Sequence, residues 1–172
     1  CACGAPAAEK ETLPSVQQTQ PTVPAALVDI NAMSWEEIFA SSAGLTWVFA
    51  GDSITHCGNW SQGMNSYSEW FEQYLYDAGR RSDSVILTAW GGADIYDFQT
   101  PENTPGDNGA ANNPGMGIEQ FITKYNPDVV FIKLGMNDRY KDNATFLQYY
   151  QQMLDSAYEL CLAQGKIPKI VL

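Results

Sequence analysis

Ser53 is the residue of this chain on which chemistry can most readily be built. It follows Asp52 at the end of Trp47-Val48-Phe49-Ala50-Gly51, an apolar β-branched and aromatic run that predicts a buried strand ending in a turn. Ligands of an open α/β sheet bind just beyond the carboxyl ends of its strands, so a serine there faces a crevice and is a candidate nucleophile. Acyl transfer by such a serine also needs hydrogen-bond donors aimed at the oxyanion of the tetrahedral intermediate. Two other strand ends offer them. Ser84 to Thr88 runs into Ala89-Trp90-Gly91-Gly92, and Asp128 to Leu134 runs into Gly135-Met136-Asn137-Asp138. The backbone N–H groups of Ser53 and Gly92 and the side-chain amide of Asn137 form the candidate oxyanion hole, with His56, Trp90 and Gly91 as candidate pocket residues.

Converging these segments requires a particular fold. A short capped helix is predicted from Ser34-x-x-Glu37, and a second from Ser66-x-x-Glu69. The second helix would bury Tyr67, Trp70, Phe71, Tyr74, Leu75 and Ala78 and stop at Gly79. The span 98–117, dense in Pro, Asn and Gly, is expected as a long loop over the same edge as Ser53. Ile118 to Tyr125 predicts a helix stopped by Asn126-Pro127, and Ala144 to Gln164 a longer one with Cys161 on its buried side. Lys169 to Leu172 begins a fourth strand. Strands alternating with helices imply a mostly parallel sheet in a flavodoxin-like three-layer α/β/α fold, strand order 2-1-3-4 with a fifth strand missing. That order makes Ser53, Gly92 and Asn137 neighbours.

Composition narrows the function classes. The 172 residues are 45% hydrophobic and 17% charged, enough for one domain with a real core. A net charge of −11 disfavours nucleic acid, whose phosphates demand clustered Lys and Arg. One histidine and scattered carboxylates supply no metal-ligand set, and neither metal nor organic cofactor is expected. No apolar run approaches the roughly 20 residues of a membrane span. The amino-terminal Cys1-Ala2-Cys3-Gly4, followed by a Pro, Ala, Gln and Thr-rich stretch, reads as a processed bacterial lipoprotein lipidated on Cys1. The expectation is therefore a lipoprotein terminus and flexible linker over residues 1–26, a domain over 27–172, and extracytoplasmic placement, lipid-anchored at the cell surface or secreted.

Gly51-Asp52-Ser53-Ile54-Thr55 resembles the first block of the SGNH, or GDSL, hydrolases, a family of serine esterases and acylhydrolases. Gly135-Met136-Asn137-Asp138 resembles the third block. Gly92 matches the second, although Ala93 stands where that family usually has Asp or Asn, which makes Gly91 a possible substitute. The resemblance implies ester hydrolysis through an acyl-Ser53 intermediate. It also implies a final Asp-x-x-His block carrying the general base, and no such pattern occurs here. Two readings stay open: the domain is carboxyl-terminally incomplete, or His56, three residues after Ser53, acts as a local base.

Asp52 and Asp138 are expected to hydrogen-bond their own turns. Cys57 lies near Ser53 but has nothing beside it in sequence to activate it. The expected substrate is an acylated small molecule or O-acylated polysaccharide, the latter suggested by surface tethering and by Trp60 and Trp90 read as exposed aromatics. The competing reading is a non-catalytic carbohydrate-binding or adhesion lipoprotein that keeps the fold.

Overall fold

The computed structural model describes residues 27–58, 62–100, 106–107, 114–139 and 141–172. In chain order the elements are β1 (Val28–Asp29), α1 (Trp35–Ala40), β2 (Thr46–Gly51), α2 (Ser53–His56), α3 (Tyr67–Asp77), β3 (Ser84–Leu87) and α4 (Ile95–Gln99). There follow β4 (Gly106–Asp107), β5 (Pro114–Gly115), α5 (Ile118–Tyr125), β6 (Val129–Lys133), α6 (Asn143–Ala163), β7 (Lys166–Ile167) and β8 (Lys169–Val171).

The main sheet is parallel, in the order β3-β2-β6-β8, as the alternation of strands and helices predicts. Phe49 of β2 is opposite Leu87 of β3 on one side and Phe131 of β6 on the other, so β2 lies between the other two site-bearing strands. Two minor pairs accompany it, β1 with β7 and β4 with β5. Two-residue strands leave no apolar run in the sequence, which is why periodicity does not foretell them.

Side-chain alternation along β2 builds two cores. Val48 and Ala50 face one layer with Val130, Ile132 and the apolar sides of α4, α5 and α6. Trp47 and Phe49 face the other with Val129, Ile38 of α1 and Leu75 of α3. Phe49 stacks on Phe131 at 4.7 Å between ring centroids. The buried Trp47 indole donates to Asp83 at 2.8 Å, so its polar edge is satisfied. The helices follow their local signals. Ser34 and Ser66 close capping boxes with Glu37 and Glu69, and α5 ends at Asn126 in the left-handed region. Cys161 is buried in the α6 layer as expected.

Two expectations fail. Helix α3 buries only Ser68 and Leu75, with Phe71 half-buried, while Tyr67, Trp70, Tyr74 and Ala78 are exposed. Ser68, Phe71 and Leu75 recur at i, i+3 and i+7 and form the sheet-facing stripe. Trp70 and Tyr74 sit farther round the helix and reach solvent. The 98–117 span is not loop throughout: Phe98 and Gln99 close helix α4, capped by Asp94, and Phe98 is wholly buried.

Candidate active site

Strand β2 delivers Ser53 through a turn that its neighbours hold tightly. Gly51 has φ of 149°, and a β-carbon there would sit 2.3 Å from the Lys133 carbonyl oxygen and 2.8 Å from Thr55 Oγ1. Only glycine fits such a conformation and approach. The Asp52 N–H donates to the Lys133 carbonyl at 3.2 Å, and the Trp90 N–H donates to the Gly51 carbonyl at 3.1 Å. The Ser53 turn is thereby bonded on one side to the end of β6 and on the other to the segment leaving β3.

Asp52 is buried and caps α2, accepting from the Ile54 N–H at 2.9 Å, the own-turn role expected of it. Buried Thr55 accepts from the Tyr67 hydroxyl at 2.8 Å, which ties the turn to the start of α3. Burial pushes the Tyr67 hydroxyl pKa up, the nearby Asp52 charge adds to this, and the bond to Thr55 opposes it. Helix α2 has four residues. A single turn aligns few peptide dipoles, so α2 adds little positive potential at Ser53.

At the end of β3, Gly91 and Gly92 are exposed and a β-carbon on either would meet no neighbour within 4 Å. Gly92 has φ of 86° and so needs glycine for its conformation, whereas Gly91 has no such requirement. Trp90 does not line a pocket: it is 5% exposed and stacks on Phe98 at 5.4 Å. It points into the α4–α6 core, and its exposure as a sugar-binding ring is corrected accordingly. Trp60 and Cys1 lie outside the described residues.

Asn137 at the end of β6 donates from Nδ2 to the Ala93 carbonyl at 2.8 Å. One of its two amide hydrogens thus fixes the side chain against the residue after Gly92. The second has no partner among the described residues. Asp138 departs from expectation. Its buried carboxylate accepts from the Ile95 N–H at 3.1 and 3.3 Å, at the start of α4, and its contact within its own turn is to the Lys141 side chain and not to a backbone N–H.

Lys141, which sequence reasoning did not single out, bridges Asp94 at 2.5 Å and Asp138 at 3.1 Å. The sequence signals are slight: Asp94 stands three residues before Asp97 at a helix start, and Asp138 three before Lys141. Burial raises the Asp94 pKa, but hydrogen bonds from Lys141 and the Asp97 amide outweigh it and leave the carboxyl lowered. Burial likewise lowers the Lys141 pKa, and its two carboxylate partners reverse this and raise it.

His56 closes the turn that Ser53 opens, and its ring lies against Gly58, where a β-carbon would come within 3.1 Å of Cε1. Cys57 follows in the left-handed region with φ of 57°. No group of three or more His, Cys, Asp or Glu among the described residues is arranged to hold a metal ion. No helix among them is long and apolar enough to cross a membrane.

Comparison with known proteins agrees with this architecture. The fold is similar to an acetyl xylan esterase, AlAXEase, at 23% identity and a TM-score of 0.54 over 74% of this chain and 57% of that one. It is also similar to a catalytic mutant of an acetylxylan esterase from Geobacillus stearothermophilus, at 16% identity and a TM-score of 0.52 over 76% of this chain and 59% of that one. The chain thus spans less than two thirds of the length of either structure. No curated protein matches the sequence significantly. The family model for GDSL-like lipases and acylhydrolases matches residues 49–171, from the middle of β2 to the end of β8. The chain belongs to the GDSL-like lipase/acylhydrolase family.

Proposed function

We propose that this domain is the nucleophile-bearing part of a serine esterase that cleaves carboxylic esters through an acyl-Ser53 intermediate. Ser53 Oγ attacks the ester carbonyl carbon and its proton passes to a histidine base. The oxyanion accepts hydrogen bonds from the N–H groups of Ser53 and Gly92 and from Asn137 Nδ2. Collapse expels the alcohol, and water then releases the acid. The observation that supports this reading is the Asn137 amide bonded to the Ala93 carbonyl, one residue from the open Gly92 and across β2 from it.

His56 we assign to the pocket wall, because its ring is packed on Gly58 at the far end of the Ser53 turn. The base then belongs to the Asp-x-x-His pattern that the family resemblance implies. Short O-acyl groups on a polysaccharide are the substrate class, a reading supported by the two similar folds described as acetyl xylan esterases.

Labelling of the full-length protein with a fluorophosphonate tests the proposal, because only an activated hydroxyl reacts. The expected result is modification at Ser53, lost in Ser53→Ala and kept in His56→Gln. An inert Ser53 would overturn the esterase reading in favour of a binding module, and loss of labelling in His56→Gln would make His56 the base.

A further inference from the structure

Two loops carry the proposed oxyanion donors apart from Ser53 itself, and the structure ties them together through a charged group that does not reach the reacting atoms in the scheme above. Gly92 is followed by Ala93, Asp94 and Ile95. Asn137 is followed by Asp138 and, three residues on, Lys141. Three contacts cross between these segments: Asn137 Nδ2 to the Ala93 carbonyl, Ile95 N–H to the Asp138 carboxylate, and the Lys141 ammonium to Asp94; Lys141 also pairs with Asp138 inside its own segment. Within each segment the geometry is fixed again. Asp94 accepts from the Asp97 N–H at 2.9 Å, the Asp138 N–H donates to the Gly135 carbonyl at 3.2 Å, and the Lys141 N–H donates to the Asp138 carbonyl at 2.8 Å.

The ion pairs are not loose surface contacts. The Asp138 side chain is 2% exposed, and those of Lys141 and Asp94 are 22% and 24%. Screening at such sites is weaker than in open solvent, and a network of three charges holds geometry better than one exposed pair. The open face at Gly92 leaves its loop without packing of its own on that side. Its position is set instead by what holds Ala93 and Asp94.

We propose that Lys141 is a positioning residue: by bridging Asp94 and Asp138 it fixes the distance between the Gly92 N–H and the Asn137 amide, and so acts on turnover more than on substrate binding. The proposal rests on the esterase reading. A donor displaced by a fraction of an ångström stabilises the oxyanion less, and complete loss of one donor costs on the order of 100- to 1000-fold. Loosening without loss falls below that.

The test uses the full-length protein with p-nitrophenyl acetate, comparing Lys141→Met, Lys141→Arg and Asp94→Asn, alone and with Asn137→Ala. Asp94→Asn keeps a side chain able to cap α4 while removing the charge. The expected result is a kcat lowered about 10-fold in Lys141→Met with KM within about twofold, consistent with a misplaced donor. Lys141→Arg should recover most of it. Asp94→Asn should behave as a milder Lys141→Met, and both effects should shrink once Asn137 is Ala, because one of the two donors held in register is gone. An unchanged kcat in Lys141→Met, or effects that add fully to Asn137→Ala, overturns the positioning role while leaving the esterase reading intact. A wild-type protein that neither turns over the ester nor labels at Ser53 overturns both.

Discussion

Replacing Gly51 by alanine should damage this fold far more than the same change at Gly92 or Gly91, although all three lie at strand ends next to the same proposed site. At Gly51 the new β-carbon would sit 2.3 Å from the Lys133 carbonyl oxygen, about 0.7 Å inside the 3.0 Å that real β-carbons respect. The obstacle is backbone of the paired strand, which cannot rotate away as a side chain can. Relief requires β2 and β6 to part at their carboxyl ends, which weakens the Asp52 to Lys133 bond at 3.2 Å. Strain at a glycine-favouring φ of 149° costs about 1–3 kcal/mol, and each weakened hydrogen bond about 0.5–1.5 kcal/mol. The sum is about 1.5–4.5 kcal/mol, a large part of the roughly 5–15 kcal/mol that holds a domain folded. For a chain of this size it lowers Tm by roughly 3–18 °C. Gly92→Ala meets no neighbour and carries only the φ strain at 86°, about 1 kcal/mol. Gly91→Ala meets neither obstacle and should be neutral or stabilising by up to about 1 kcal/mol. Urea unfolding followed by tryptophan fluorescence, with m-values checked for constancy, measures all three. A Gly51→Ala midpoint within about 1 kcal/mol of wild type, or a Gly91→Ala loss equal to that of Gly51→Ala, would refute the reasoning.

Two further perturbations probe the interior. The Thr88 hydroxyl is buried at the end of β3 and is the one buried side-chain polar atom without a hydrogen-bond partner among the described residues. Thr88→Val should therefore raise stability by about 1 kcal/mol, against the usual loss on altering a core residue, and a lowered urea midpoint would mean that the hydroxyl has a partner. Burial pushes the Cys161 thiol from its ordinary 9.0 up to about 11, with Lys166 opposing weakly, so the folded state keeps its proton where the unfolded state has lost it. Stability should be unaffected by this thiol below pH 9, then fall as the pH rises through about 11. Cys161→Ala should remove that part of the alkaline decline in thermal melts, and an identical slope would show that the thiol is not the source.

The sequence announces what is local and repetitive, and the site depends on both kinds of signal. Trp47 to Ala50, Ser84 to Leu87 and Val129 to Lys133 each present an apolar run before a glycine-containing turn, and their order in the sheet follows from parallel connectivity. That much puts Ser53, Gly92 and Asn137 at adjoining strand ends. Which aromatic faces inward is another matter, because Trp70 and Phe71 are neighbours in sequence and an apolar stripe placed one residue, roughly 100°, too far round the helix exchanges their roles. Trp90 shows the same limit from the other side: its burial depends on Phe98, which helix α4 brings over it.

Asp138 is the sharper case. A carboxylate in a Gly-x-Asn-Asp turn has donors on offer within its own loop, and local rules assign it to them. It instead takes the amide of Ile95, 43 residues away, and shares Lys141 with Asp94. Nothing at short range distinguishes this choice, because it is made by the packing of α4 against α6 and by the strand order that sets the two loops side by side. The residues proposed to react are thus read from motifs at strand ends, while those proposed to hold them in register emerge only when the folded chain brings oppositely charged groups of separate loops into contact.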